Sequence, residues 1–382
     1  MRDGGRTRVD RGHARAGRTF YAVRIARPRF ASRLPMPAAA HTPCVRRSPR
    51  PHPREAFVAV SRRRARPEIF VMQPAQPAPS LDRIALAVDP TPESLTAARY
   101  ARTLLRPGMH LRIVCAIDNP RLVLPDIPRI DALLTSARDD MVREARATLE
   151  RIAALFADSG AHVEQAIVDT SVTGGTVADA LANDTSAWRA DVLIVGANPH
   201  HGLLRLVEGT MSDTLAARAR CALLIVPAAY VRASDGPLQR LMFAVDGSEP
   251  SMHAVRVGLG FAAPTTLLYA TYVVDRAVRL TDIVPVRALE DAYRAEGEDV
   301  LARVAPLLQA SGNPARRALV ETRPTSDDVA HALMREAVHW RAELLAVGTH
   351  GRRGIAAWLI GSVARRVAHL AQVPVLLVRG AG

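Results

Sequence analysis

The chain repeats itself at a domain-sized interval, and this restricts its possible folds more than any other feature. Displaced by 152 positions, Asp191-Val-Leu-Ile-Val-Gly196 lies over Glu343-Leu-Leu-Ala-Val-Gly348, and Gly202 lies over Gly354. At the same displacement Gly209-Thr210 lies over Gly361-Ser362, and Ala222-Leu-Leu-Ile-Val226 over Pro374-Val-Leu-Leu-Val378, without a gap. Further upstream, Arg83-Ile-Ala-Leu-Ala-Val-Asp89 matches Arg240-Leu-Met-Phe-Ala-Val-Asp246 at an offset of 157, which a small insertion accommodates. A period near 150 residues is the size of a domain, so the pattern reads as a tandem duplication and not as a solenoid. The expected units are a tail over 1–79, a first module over 80–228 and a second over 238–380.

Each copy alternates short apolar runs with amphipathic ones. In the second copy strands are predicted near Arg240–Val245, Thr266–Val274, Arg317–Glu321, Leu344–Val347 and Val375–Val378, with helices over Pro250–Phe261, Val286–Ala310, Ser326–Arg341 and Ser362–Ala371. The first copy places strands near Ile84–Val88, Leu111–Ile117, His162–Val168, Val192–Val195 and Leu223–Val226. Apolar strands separated by helices imply parallel sheets covered on both faces, a doubly wound α/β fold. Ligands of such sheets sit beyond the carboxyl ends of the strands, where strand order reverses. Asp246 ends the first strand of its copy and Gly348 the fourth, so these two share one crevice if the strands are neighbours.

Charge separates the tail from the copies. Residues 1–71 hold 18 arginines against Asp3, Asp10, Glu55 and Glu68, a net charge of +14 that equals the charge of the whole chain. The remaining 33 arginines face 33 acids, so the copies are neutral and no nucleic-acid or membrane partner is expected for them. The tail mixes Arg, Pro and Ala without helical or strand periodicity; it is expected to be disordered, and Met72 is a second candidate start. No lysine occurs anywhere. Walker-type loops, protein kinases and pyridoxal enzymes need one, so those classes are excluded. Cys44, Cys115 and Cys221 show no C-x-x-C spacing and read as reduced thiols of a cytoplasmic protein, with no disulfide or zinc role. No apolar run has the length of a membrane span.

The run Leu344-Leu-Ala-Val-Gly-Thr-His-Gly351, followed after nine residues by Gly361-Ser362-Val363, joins a buried strand, a glycine loop and a helix start. Glycines permit positive φ and close approach to an anion, while free N–H groups at the helix start point toward negative charge. Ser362 is expected at the helix N-terminus, capping the backbone or bonding a phosphate. Taken alone, the same glycines also fit a strand end and a turn; the repeated α/β setting favours the phosphate reading. His350 and Arg352-Arg353 lie in the same loop, where contact with phosphate and plain solvent exposure both remain open. Asp246 is read as a ligand group, a cap for the helix beginning near Ser248, or both. Gly258-Leu-Gly-Phe-Ala-Ala263 fits a loose dinucleotide fingerprint but closes a helical pattern, and so reads as a helix stop. His200-His201 have no ligand partners at helical spacing and are read as surface residues.

The strand-one aspartate, the Tyr272-Val-Val-Asp275 strand end, the glycine loop and the closing Pro374–Val378 strand together resemble the universal stress protein family. The resemblance covers residues 80–380 as two tandem modules. It implies two doubly wound parallel five-stranded sheets of order 3-2-1-4-5, a nucleotide-binding α-hydrolase-like fold, and ATP as ligand, with or without Mg2+. Carried over residue by residue, it assigns Asp246 to the ribose and adenine, Val273 to the adenine, and Gly348, Thr349, Gly351, Gly361, Ser362 and Val363 to the phosphates. In the first copy Asp89, Gly196, Gly209 and Thr210 persist. However, Pro199 stands at the position of Gly351 and removes an N–H donor, and Ala116 replaces the strand-two valine. That copy is expected to be mainly structural, pairing with the second as an intrachain pseudo-dimer, with a homodimer of such chains equally open. The expected function is an ATP-binding regulatory module of the stress response with an unidentified protein partner. The alternatives are a scaffold without nucleotide and a slow ATPase; no S-G-G-x-D-S loop or catalytic triad is present.

Overall fold

The computed structural model describes residues 81–123, 131–197, 211–232, 236–276, 286–323, 327–351 and 360–380. The tail, Met72, Pro199, His200-His201, Gly202, Gly209, Thr210, Arg352-Arg353 and Gly354 lie outside them.

The first module runs β1 (Arg83–Val88), α1 (Pro92–Leu104), β2 (His110–Ile117), α2 (Pro120–Val123), α3 (Asp131–Ala153), β3 (His162–Asp169), α4 (Thr170–Thr173), α5 (Val177–Ala187), β4 (Val192–Ala197), α6 (Met211–Arg218) and β5 (Ala222–Pro227). The second follows with β6 (Arg240–Ala244), α7 (Glu249–Leu259), β7 (Leu267–Val274), α8 (Val286–Ala310), β8 (Ala315–Glu321), α9 (Val329–His339), β9 (Leu344–Gly348), α10 (Ser362–His369) and β10 (Val375–Val378).

Ten strands form one sheet in the order β3-β2-β1-β4-β5-β10-β9-β6-β7-β8. Each half is parallel with the expected 3-2-1-4-5 order. The halves do not remain separate sheets: β10 pairs antiparallel with β5, setting Val375 opposite Ile225 and Leu377 opposite Leu223. Both strands are buried along their length, as apolar segments enclosed on both faces and both edges must be. Alternate residues feed two cores, one on each side of the sheet; Ile84, Leu86, Phe243 and Leu344 face one, and Ala85, Met242, Leu345 and Val375 the other. Each fully buried Leu, Ile, Val, Met or Phe side chain among them contributes about 1.5–3 kcal/mol.

Local signals recur in both halves. After α5 and α9 the chain turns through left-handed Arg189 (φ 57°) and Arg341 (φ 56°). The closing bonds Ala190 N to Thr185 O (2.9 Å) and Ala342 N to Ala337 O (2.8 Å) are the same Schellman closure twice. In each copy an arginine at the first strand donates to a tryptophan carbonyl and lies over its ring, Arg83 with Trp188 and Arg240 with Trp340. Gly260 caps the end of α7, in line with the helix-stop reading of Gly258–Ala263.

The join between halves carries buried polar contacts. Tyr100 of α1 donates to the Glu343 carbonyl at 2.7 Å, and its ring meets Tyr230 edge-on. Glu343 Oε2 accepts from Gln239 N (2.6 Å) and from Arg232 (3.1 Å). The Arg232 and Glu343 side chains are 7% and 11% exposed. Burial pushes the free Cys115 thiol up to about 12 and the Cys221 thiol up to about 11, the inert character expected of packed cysteines. Among the described residues no helix is long and apolar enough to cross a membrane.

Candidate functional site

β6 and β9 are sheet neighbours, with Ala244 opposite Val347. From β6 the strand order runs outward in one direction through β7 and β8, and from β9 in the other through β10, so strand order reverses between β6 and β9. A cavity of about 540 Å3 opens at their carboxyl ends. Its lining includes all eight residues singled out from the second copy: Asp246, Val273, Gly348, Thr349, Gly351, Gly361, Ser362 and Val363.

Asp246 follows β6 and is held by the turn into α7. Gly247 takes φ +82°, and Ser248 is the helix N-cap, its side chain accepting from Ser251 N. The cap is therefore Ser248 and not Asp246, which instead supports the cap: Asp246 Oδ1 accepts from Ser248 N (3.0 Å) and Ser248 Oγ (2.6 Å). Ser248 Oγ also lies 3.3 Å from the His350 carbonyl, tying this turn to the glycine loop. Asp246 Oδ2 faces Gly351 so closely that a Cβ there would stand 2.7 Å from it.

The glycines act differently from the expectation of positive φ. Neither Gly348, Gly351 nor Gly361 is among the described residues with positive φ. Gly348 is required by packing, since a Cβ would meet the Pro250 carbonyl carbon and Ser251 N of α7, each at 2.7 Å. Gly196 has the same constraint against Glu93 of α1, at 2.7 Å. Gly361 lies at φ −62°, ψ 151°, and is itself the N-cap of α10. Ser362 is the first helical residue and not the cap, so no side chain caps α10. Gly361 N donates to Thr349 O at 2.7 Å, closing the base of the loop. The result is a helix start with free amides beside two glycines, the arrangement that receives anions.

Thr349 is buried, and its hydroxyl lies 3.1 Å from His350 Nδ1. His350 Nε2 is buried without a hydrogen-bond partner and belongs to the cavity wall, which favours the inward of the two sequence readings for this histidine. Asp275, Glu296, Tyr272 and Tyr293 also line the cavity, as do Thr271 and Ser251. Tyr272 and Asp275 belong to the strand end that carried the family resemblance, though no site role was assigned to either; Thr271, Tyr293, Ser251 and Glu296 did not stand out, because such residues are ordinary in strands and amphipathic helices.

In the first module, Asp89 Oδ1 accepts from Thr91 N (3.1 Å), from the Thr91 hydroxyl and from Ser94 Oγ (2.6 Å), repeating the supported turn. Ala116 is half-buried near the end of β2.

Residues 80–227 and 237–379 each match the universal stress protein family. Among relatives, a universal stress protein of Mycolicibacterium smegmatis is 26% identical over 298 residues, covering 78% of this chain and 96% of that protein. Universal stress protein MJ0531 of Methanocaldococcus jannaschii is 28% identical over 155 residues, 39% of this chain and 86% of that protein. The crystal structure of a universal stress protein from Archaeoglobus fulgidus DSM 4304 matches 79% of this chain and 97% of its own, with a TM-score of 0.53 at 13% identity, a likeness of fold.

Proposed function

Because the chain belongs to the universal stress protein family through both of its halves, we propose that it is a cytoplasmic ATP-binding regulatory module of the stress response, with the nucleotide held by the second module. The observation that carries the reading is the convergence of Asp246, Gly351 and the uncapped start of α10 on one cavity at the strand-order reversal. Phosphate oxygens take the free amides of Ser362 and Val363, with the positive end of the α10 dipole behind them. The close packing of the loop needs Gly351 and Gly361, because a Cβ would stand 2.7 Å from Asp246 Oδ2 at the first and 3.0 Å from Thr349 O at the second. Asp246, oriented by Ser248, accepts from a ribose hydroxyl, and Val273 lies along the adenine. The carboxylates of Asp246, Asp275 and Glu296 line the same cavity, and a Mg2+ accompanying the triphosphate would offset their charge. The first module keeps the aspartate turn and the strand packing, and serves mainly as the structural partner of the pseudo-dimer.

The amides and the helix dipole stabilise bound phosphate in its ground state, and this reading assigns no side chain the role of a base that activates water. The reading is binding with turnover slower than about 1 s⁻¹, below the ordinary enzyme range. Mass spectrometry of the purified protein should find ATP, and calorimetric titration should give one site per chain. Gly361→Val should abolish that site and Gly209→Val should barely change it. Two equivalent sites, or equal loss from either substitution, refutes the division between modules.

A further inference from the structure

The Thr271 hydroxyl belongs to the cavity wall, and among the described residues no well-formed hydrogen bond satisfies it. Thr271 is fully buried, lines the cavity, and its Oγ1 has no hydrogen-bond partner. The Tyr269 hydroxyl, two residues back on the same strand face, donates to Glu336 Oε1 at 2.8 Å and offers Thr271 only a weak contact, short of a well-formed hydrogen bond. Across the sheet Thr271 is flanked by two small side chains, Ala244 on β6 and Ala318 on β8. The cavity wall on this side of the sheet is apolar, with Val329, Leu333 and Val347.

A buried hydroxyl without a partner bears its full desolvation cost, so a fold with no use for it does better with an apolar isostere. The first module supplies that comparison within the same chain. Its equivalent row is Ala87, Val114 and Ala166 on β1, β2 and β3, in the same register. Val114 is fully buried there. The two copies thus share the flanking alanines and differ at the central position, where the module with the intact glycine loop carries the hydroxyl. Packing does not require the oxygen.

We infer that the Thr271 hydroxyl is a specificity-determining contact to the heterocyclic base of the bound nucleotide. The inference rests on the ATP reading above. A flat ring slides between the apolar walls, and the hydroxyl, both donor and acceptor, bonds a ring nitrogen or the exocyclic amine at the buried edge of the base.

Thr271→Val and Thr271→Ser separate this role from a structural one, with ATP and inorganic tripolyphosphate as the titrated probes. Thr271→Val should lower ATP affinity about tenfold, the worth of one buried hydrogen bond. It should leave tripolyphosphate affinity unchanged, and the nucleotide-free melting temperature should stay level or rise. Thr271→Ser should keep ATP affinity within about threefold of the parent. The inference is overturned if Thr271→Val binds ATP like the parent, if tripolyphosphate weakens equally, or if the nucleotide-free protein melts several degrees lower. A parent protein that binds no ATP removes the ATP reading and this inference together, whereas normal binding by both parent and Thr271→Val removes this inference alone.

Discussion

Replacing Gly348 by alanine tests whether this glycine serves the ligand or the fold. The added methyl would stand 2.7 Å from the Pro250 carbonyl carbon, 2.7 Å from Ser251 N and 3.0 Å from Pro250 O, all backbone atoms of α7. Carbon contacts settle at about 3.5–4.0 Å, so the helix must back away by about 1 Å from the strand it covers. A helix start cannot swing aside as a side-chain tip can, and overpacking of this kind costs about 1–3 kcal/mol. Taken over about 300 folded residues that lose about 2.1 cal/mol/K each on unfolding, this lowers the melting temperature by about 2–5 °C. Gly196→Ala is the internal control, because its methyl would stand 2.7 Å from Glu93 O, 2.9 Å from Glu93 C and 3.3 Å from Ser94 N. Scanning calorimetry without nucleotide should show similar losses for both variants. If Gly348→Ala melts like the parent but fails to bind ATP, the glycine makes room for phosphate and the packing argument is wrong.

Gly351→Ala should act on the ligand, since among the described residues its methyl meets only the Asp246 carboxylate tip, at 2.7 Å; titration calorimetry should show at least about a tenfold loss of ATP affinity, with a smaller melting shift than Gly348→Ala. Glu343→Ala strands a buried guanidinium, because Arg232 and Glu343 are 7% and 11% exposed; urea unfolding should report a loss of about 3–5 kcal/mol. Hydrogen bonds from Arg294, opposed by desolvation and assisted by its charge and that of Arg276, hold the Glu321 carboxyl below its ordinary range. A depressed folded pKa means this stabilisation is complete above the ordinary glutamate value of about 4.3 and is lost as pH falls through the folded value. Arg294→Met should therefore raise the Glu321 titration seen by NMR, and an unmoved titration would refute the assignment.

Most of the architecture was legible in the chain because strand and helix signals were strong and came twice. The apolar runs at Leu344–Val347 and Val375–Val378 are bounded by Gly or Pro and fully buried, so periodicity and burial agree. The cavity residues were legible as a set, since the strand-end aspartate and the spaced glycines each stand at a carboxyl end. Their individual causes were less so. Gly348 looks identical in sequence whether it admits a phosphate or a helix backbone, and only the distance to Pro250 separates the two. The cap of α10 falls on Gly361 and not Ser362, a one-residue difference of the kind helix ends commonly show. Thr271 was missed because a threonine within Leu267–Val274 is an ordinary strand residue; the signal lay in comparing it with Val114 across the repeat.

The antiparallel seam between β5 and β10 lies within one polypeptide, which makes the union of the two halves first-order. A pair of separate chains comes apart on dilution, whereas halves tied by a short connection see each other at an effective concentration of the order of millimolar whatever the abundance of the protein. The melting temperature should therefore not depend on protein concentration over several decades of dilution. The same tether frees each half to drift in sequence at its own crevice. Because the seam reverses strand direction, the carboxyl ends of the two halves open at opposite margins of the sheet, so a change at one mouth leaves the other geometrically untouched.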